Sequence, residues 1–362
     1  MRLIISDETL RDGEQQVGVN FSIREKFLIA KKLAEAGVNQ IAIMPIVSKH
    51  EERLAKRLLK TDFSEKIYAS TMLDKGFIDH SFNLGFRRII LFSPLSERLL
   101  KIKRLTKEEN LKKSVSICKY ANNKGMQIFF AGEDATRTNT DYIIRFIKGI
   151  EKFISGFILC DTVGILTPNK TKRIIKTIKE NTKCDLGVHF HNDRGLANEN
   201  TITAIKNGAN IISTTIGGIG ERAGNADLLK VLFELKKSRT ALKDLNYSRL
   251  LLLKKLVYRM GGSKPAKPFS HRAFWHESGI HVNALLKDSL SYNSFPPEKF
   301  GKENKIFFGK FSGISNYRFL FGNKYNDKKL SKIRDKIKEI SYKNKKSFSE
   351  NEVLKIVLKY KP

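Results

Sequence analysis

Hydrophobic and polar residues follow two alternating patterns along the first 240 residues of the chain. Short apolar runs, typical of buried strands, are each followed by a longer segment whose apolar residues recur every three or four positions, as on an amphipathic helix. Strands are predicted at 3–6, 39–44, 66–70, 87–93, 126–131, 156–160, 185–190 and 210–216. This alternation predicts an α/β fold, a (β/α)8 TIM barrel with a parallel sheet, and a doubly wound open sheet is the alternative.

The pattern changes after about residue 240. A helix is predicted over 243–261, and the Gly- and Pro-bearing stretch GGSKPAKPF follows it as a linker. Two helices are predicted near the C-terminus, and the last is opened by a capping box of Ser349 and Glu352. We therefore expect a catalytic barrel over 1–260 and a smaller, mainly helical accessory region over 261–362.

The composition is that of a folded globular protein, with 362 residues of which 41% are hydrophobic. No apolar stretch is long enough for a transmembrane helix, and the N-terminus turns polar too early for a signal peptide, so no membrane association is expected. Cys118, Cys160 and Cys184 are odd in number and widely spread. They indicate a reducing compartment, the cytoplasm, and no disulfide framework.

The net charge of +31 comes from 68 basic and 37 acidic residues. Such a charge is compatible with an anionic partner such as nucleic acid. Lysine, however, occurs in nearly every predicted helix instead of forming one stripe, which indicates solvated helix faces. We expect no nucleic acid partner. A barrel that has lost activity and binds RNA is the alternative from a different functional class.

Candidate metal-binding residues follow three of the predicted strands. His189 and His191 lie two positions apart at the end of strand seven, so their side chains project from one face. Arg11 and Asp12 follow strand one, and Asn225 follows strand eight. These three strands are neighbours in a closed barrel, so the groups converge on one side of its mouth. Taken singly, each motif is also explained by a satisfied histidine pair or a local ion pair. Together they suit an Mg, Mn or Zn ion, with Arg11 placed to stabilise an oxyanion.

The motifs ETLRDGEQ, HFHND and GIGERAGNA resemble the signatures of the metal-dependent barrel enzymes that include 2-isopropylmalate, citramalate and homocitrate synthases. The resemblance covers about residues 1–320. It implies a divalent ion bound by Asp12, His189, His191 and Asn225, with Arg11 as the catalytic arginine. The implied reaction is a Claisen-type condensation of acetyl-CoA with a 2-oxoacid, followed by hydrolysis of the thioester.

The resemblance also implies roles for residues elsewhere in the chain. The segment WHESGIHVNALLKD is similar to one that these synthases contribute from the neighbouring subunit of a homodimer. There, His281 is expected to act in the general-base machinery with Tyr292 as its support, although a packing histidine is the alternative. The expected substrate-binding residues are Gln15, Thr162, Glu133 and Arg137.

Within this family the chain is most similar to the homocitrate synthases of nitrogen fixation, which implies 2-oxoglutarate as the acceptor. Its distal carboxylate would meet Arg98 or Arg137. A 2-isopropylmalate or citramalate synthase without the regulatory domain is the alternative. A lyase is disfavoured because no cysteine follows Cys184. The chain departs from the family pattern at Ala42, where a glutamate is usual, and at Phe311, where a histidine is usual.

Overall fold

Eight parallel strands form a closed barrel in the computed structural model, which describes residues 3–236 and 245–360. The strands are β1 (Ile4–Asp7), β2 (Gln40–Ile43), β3 (Ile67–Met72), β4 (Arg88–Pro94), β5 (Gln127–Glu133), β6 (Gly156–Asp161), β7 (Asp185–Phe190) and β8 (Ile211–Thr214). Each follows its predecessor around the ring, and β1 pairs with both β2 and β8. The predicted TIM barrel is therefore confirmed, and the open sheet is excluded.

Helices pack around the outside of this ring. They are α1 (Ile23–Glu35), α2 (Lys49–Leu58), α3 (Lys75–Asn83), α4 (Glu97–Lys103), α5 (Lys107–Asn123), α6 (Thr140–Ile150), α7 (Pro168–Asn181), α8 (Ala197–Lys206), α9 (Leu228–Lys236) and α10 (Tyr247–Gly261). The capping box of Ser22 and Glu25 opens α1, and Gly37, in the left-handed region at φ 93°, follows its end. The predicted start of a helix at 243 lies outside the described residues.

An apolar layer fills the interior of the barrel below its mouth. Ala42, Tyr68, Ile90, Phe129 and Ile158 project inward from five consecutive strands and are buried against one another. Such a layer makes the barrel a packed core and not a pore. The candidate residues lie above this layer, at the carboxyl ends of the strands.

The accessory region is mainly helical and has its own core. It contains β9 (Trp275–His276), α11 (Gly279–Leu285), β10 (Lys305–Ile306), α12 (Ile314–Phe321), α13 (Asp327–Asn344) and α14 (Glu350–Tyr360). Its core packs Val282 and Phe308 against Tyr317, Ile333 and Val353. Prediction of two C-terminal helices was correct, but α11, α12 and the short β9–β10 pairing were not predicted.

A buried ionic cluster joins the accessory region to the barrel. Lys26 of α1 contacts both Glu14 and Glu51, and Lys310 of the accessory region contacts the other oxygen of Glu14. Tyr342 of α13 donates a hydrogen bond to Glu51 over 2.9 Å. The four charged side chains are each at most 2% exposed, so each depends on its partners for compensation.

Across the two described ranges, we find no helix with the length and apolar character needed to span a lipid bilayer.

Candidate active site

Asp12, His189 and His191 bring three potential metal ligands together at the barrel mouth. The two Nε2 atoms of the histidines lie 3.2 Å apart, and each is 3.7 Å from Oδ2 of Asp12. Ligand atoms about 2.1 Å from a shared ion lie roughly 3.0–3.4 Å apart in octahedral or tetrahedral geometry. The 3.2 Å side of this triangle of buried atoms lies within that range, and the two 3.7 Å sides exceed it by about 0.3 Å, so a small inward shift of Asp12 would place all three atoms around one divalent ion.

Neighbouring polar groups orient these ligands. Nδ1 of His189 lies 2.9 Å from the hydroxyl of Ser213 on β8, which leaves Nε2 to face the triangle. The amide nitrogen of Asn225 donates to Asp12 over 2.7 Å, while its buried Oδ1 has no partner among the described residues. An unsatisfied carbonyl oxygen beside the triangle is the atom that a fourth ligand would supply. The residues present thus fit a mixed N/O divalent site.

The protonation states also suit an ion. Burial opposes ionisation of Asp12, but His191, His189 and Arg11 together outweigh it and hold the pKa of this carboxyl well below its usual value. Burial holds the pKa of His191 well below its usual value, so its ring is neutral near pH 7. An ionised carboxylate and a neutral imidazole are the forms that bind metals.

The glycine-rich loop after β8 packs closely against the triangle. A Cβ atom on Gly220 would lie 2.1 Å from Nδ2 of Asn225 and 2.7 Å from Oδ1 of Asp12, so no side chain fits there. The next arginine, Arg222, is fully buried; it donates to Asp193 in the loop after β7 and to the carbonyl oxygen of Thr162 after β6. Arg222 therefore joins three loops of the barrel mouth.

His281 reaches the same cavity from α11. Its Nε2 lies 2.8 Å from Oε2 of Glu221, and its ring stacks on Tyr292 with centroids 3.6 Å apart. Tyr292 in turn donates a 2.5 Å hydrogen bond to Glu133. Burial, reinforced by the charge of Arg222, lowers the pKa of His281 to about 3, and burial raises the pKa of Glu221 and of Glu133. Nδ1 of His281 is buried with no partner among the described residues.

The cavity between these groups has a volume of about 90 Å³. Arg11 lines it and donates to Glu8 over 2.6 Å and to Asp12 over 3.1 Å. Polar residues line it as well: Gln15, Glu133, Thr162, Glu221 and Ser278. One part of its wall is largely apolar and comes from the next strands around the ring and from α11. That part comprises Met44, Ser70, Ile90, Phe92, Ala131, Cys160 and Ile280.

Comparison with known proteins agrees with this geometry. Residues 2–257 match the HMGL-like family model, and residues 269–345 match the model described as homocitrate synthase post-HMGL domain-like. The chain belongs to the HMGL-like family. Both the barrel and the accessory region are thus parts of one known arrangement.

The relatives of this HMGL-like chain include synthases with three different names. Homocitrate synthase AksA of Methanocaldococcus jannaschii is 38% identical, over 98% of this chain and 90% of its own length. A probable 2-isopropylmalate synthase of Archaeoglobus fulgidus is 35% identical, over 94% of this chain and 70% of its own. The (R)-citramalate synthase CimA of M. jannaschii is also 35% identical, over 94% and 71%. These similar values do not single out one of the three synthases.

A solved structure supports the fold. The HMG-CoA lyase of Bacillus subtilis superposes with a TM-score of 0.66 and covers 73% of this chain and 95% of its own. Its sequence identity is 18%, so the likeness concerns the fold alone.

The predicted substrate residues of this HMGL-like protein fall into two groups. Gln15, Thr162 and Glu133 line the cavity. Arg137 lies outside that lining, because its guanidinium donates to Asp134 and to the backbone carbonyls of Leu290 and Ser291. Arg98, the other arginine expected to meet a distal carboxylate, is also engaged. It forms a 2.5 Å ion pair with Asp288.

The two departures from the family pattern lie away from the metal ligands. Ala42 belongs to the apolar layer below the mouth and is fully buried. Phe311 lines a larger groove beside the accessory region. Neither residue contributes an atom to the Asp12, His189 and His191 triangle.

Sequence reasoning missed several contributors to the site. Glu221 was noted only as part of a motif, and its contact with His281 joins residues 60 positions apart. Asp193 was likewise quoted only as the last residue of the motif HFHND, and Ser213 carries no recognisable signal, since a serine in a strand is common. Ser70 has a buried hydroxyl without a partner among the described residues and lies in the cavity wall. Only the three-dimensional arrangement identifies these four.

In this single chain, the segment 275–288 covers the mouth of its own barrel. Ser278, Ile280 and His281 line the cavity together with Arg11 and Asp12 of the same chain. The expectation that the segment serves the site of a partner subunit in a homodimer stays a prediction.

Proposed function

We propose that this protein is a metal-dependent synthase that condenses acetyl-CoA with a 2-oxoacid and then hydrolyses the thioester. The observation that carries the proposal is the meeting of two units across one cavity. The barrel contributes a triangle of metal ligands, and the accessory region contributes a histidine paired with a carboxylate. A Claisen condensation needs both, because a ketone must be activated while a methyl group is deprotonated.

Asp12, His189, His191 and the free oxygen of Asn225 would hold the ion, either Mg or Mn, with Zn possible in the same set. When bound, the ion supplies Lewis-acid polarisation of the acceptor's ketone oxygen. Arg11 provides guanidinium hydrogens to an oxygen that becomes negative beside Asp12. The hydroxyl of Thr162 accepts from the backbone of Asp134, so its own hydrogen is directed elsewhere and suits the acceptor's carboxylate.

His281 is the proposed general base. Its Nε2 faces the carboxyl group of Glu221, and its unpartnered Nδ1 is the atom that accepts a proton from the acetyl methyl group. The resulting carbanion forms the new carbon–carbon bond at the acceptor's carbonyl carbon, and the carbonyl electron pair becomes an alkoxide near Arg11. Stacking on Tyr292 fixes the plane of the imidazole. Water then cleaves the thioester and releases CoA.

For the acceptor, we propose a 2-oxoacid with a short, uncharged side chain. Both arginines expected to meet the distal carboxylate of 2-oxoglutarate are bonded to the accessory region instead. Among the described residues that line the cavity, Arg11 is the only one with a permanently positive side chain. Its guanidinium already donates hydrogen bonds to Glu8 and Asp12. An unpaired carboxylate against this apolar wall would cost several kcal/mol. Homocitrate synthase activity is the alternative, which the similarity to the homocitrate synthase AksA favours.

A panel of acceptors tests this function. CoA release from acetyl-CoA is followed with a thiol reagent in the presence of Mg, Mn or a chelator. We expect chelator-sensitive turnover in which pyruvate, 2-oxobutyrate or 2-oxoisovalerate exceeds 2-oxoglutarate in kcat/KM by about tenfold or more, since tenfold corresponds to only about 1.4 kcal/mol.

Two results would contradict parts of the proposal. A preference for 2-oxoglutarate would overturn the acceptor and establish homocitrate synthesis with the same mechanism. No CoA release with any acid, and no effect of His189→Ala on ligand binding, would overturn the catalytic function and favour an inactive, basic binding barrel.

A further inference from the structure

A wide groove runs from the catalytic cavity to the protein surface. It has a volume of about 1420 Å³ and lies between the barrel's α2 and the accessory helix α13. Gln15, Met44, Ser278 and Ile280 line both the groove and the catalytic cavity. The two spaces are therefore continuous, and a long ligand can reach from one into the other.

The groove is rich in positively charged side chains. Six lysines and arginines line it, against three carboxylates. Those carboxylates already have partners: Asp335 contacts Arg334, Glu339 contacts His50, and Glu52 contacts His80. None of the five groove lysines forms an ion pair with a carboxylate in the described part of the chain, and three of them lie on the two facing helices: Lys49 of α2 and Lys332 and Lys336 of α13. The uncompensated charge of the groove is thus positive.

The outer end also offers an aromatic face. Tyr360 lines the groove, is 49% exposed, and lies with its ring 4.6 Å from Nζ of Lys336. At the inner end, Met44 and Ile280 are uncharged. The groove therefore leads from a neutral passage beside the catalytic cavity to a cationic and aromatic region on α13.

This order matches the chemistry of one kind of ligand. Acetyl-CoA carries its thioester on a long neutral pantetheine arm, followed by a diphosphate, a 3′-phosphate and an adenine. The 90 Å³ catalytic cavity is too small to hold more than the reacting end of such a molecule together with an acceptor. Lysines bind phosphates as point charges, and an aromatic face stacks on a base.

We propose that Lys332 and Lys336 of α13, with Lys49 opposite, bind the phosphates of the acyl-CoA donor, and that the pantetheine arm enters the catalytic cavity past Met44 and Ile280. This inference rests on the proposed function, because that function makes acetyl-CoA the donor. It assigns donor recognition to the accessory region, whereas acceptor recognition lies in the barrel.

The test compares acetyl-CoA with acetyl-pantetheine, which lacks the nucleotide. In the double variant Lys332→Glu/Lys336→Glu, we expect the ratio of kcat/KM for acetyl-CoA to that for acetyl-pantetheine to fall about tenfold or more, as two phosphate contacts become repulsive. The matched control is Lys328→Glu/Lys343→Glu, which makes the same charge change at two exposed positions of α13 outside the groove. The control should leave the ratio within about twofold.

Several outcomes would overturn the proposal: an unchanged ratio in the groove variant, an equal fall in the control, or equal losses with both donors, which would mean structural damage. If the unmodified protein turns over neither donor, the proposed function fails, but the groove is still tested. Calorimetry with CoA, and with 3′-phospho-ADP as competitor, then measures binding directly. A Kd that is the same in the groove variant and in the unmodified protein would refute the assignment, whereas a Kd weakened about tenfold or more would support it.

Discussion

The barrel and the accessory region contribute to one cavity in different ways. Of the proposed metal ligands, His189 lies on β7, and Asp12, His191 and Asn225 lie in the segments after β1, β7 and β8; every barrel strand is bonded to two neighbours. His281 and Tyr292 lie instead on a seven-residue helix and the turn after it. Side-chain contacts such as Arg98 with Asp288 hold that segment in place. In the proposed mechanism, ion binding would thus depend on the barrel sheet, and proton transfer would depend on the docking of a second unit.

This contrast predicts that damage to the barrel's site has the largest effect. In His189→Ala, we expect kcat to fall by about three orders of magnitude or more, because the several kcal/mol that a Lewis acid supplies are lost. Calorimetry should show that Mn binding is lost too, while circular dichroism stays unchanged. His271→Ala, a histidine on the surface of the accessory region, is the control and should bind Mn normally. Normal Mn affinity in His189→Ala would contradict the assigned ligand set.

Damage to the accessory region's histidine should separate the two contributions. We expect His281→Ala to lower kcat by about 10²–10³, the usual range for loss of a general base, while Mn affinity remains normal. Tyr292→Phe keeps the stacked ring, loses only the hydrogen bond to Glu133, and should have a smaller effect. If His281→Ala also abolished Mn binding, the two regions would not act separately.

Mixed oligomers sharpen the same comparison. Asp12→Ala and His281→Ala protomers are refolded or co-expressed together. If the segment 275–288 acts on its own barrel, as in this structure, every site in the mixture carries one defect and activity stays low. If the segment crosses to a partner, one site in each mixed dimer is intact, and activity should return.

The smallest effect on catalysis is expected at the buried ionic cluster between the regions, where a substitution should change mainly the stability of docking. Lys310→Met removes one partner of Glu14, and breaking a buried pair costs about 3–5 kcal/mol. We expect the accessory region to unfold at lower denaturant than the barrel, measured by limited proteolysis along a urea series. Lys346→Met, which removes an exposed pair with Glu352, should cost less than about 1 kcal/mol. Equal losses in both variants would argue against docking through this cluster.

The same contrast explains how much the sequence could predict. The eight strands and the convergence of Asp12, His189 and His191 follow from alternating periodicities and from neighbouring strands, which are local signals. The pairing of Glu221 with His281 is a contact between two units, and no local pattern encodes it. The expected role of Arg137 depended on where its long side chain turns. In the structure, its guanidinium donates a hydrogen bond to the backbone carbonyl oxygen of Leu290 instead of facing the cavity.

The cavity wall has a consequence for how such enzymes diversify. The proposed ion would be held by the arc of the ring formed by β7, β8 and β1, whereas Met44, Ser70, Ile90, Phe92 and Ala131 come from the opposite arc, β2 to β5. Substitutions in the second arc can reshape the space for the acceptor's side chain without displacing any ligand of the first. The second arc is therefore where we expect the acceptor pockets of relatives with three different synthase names to differ.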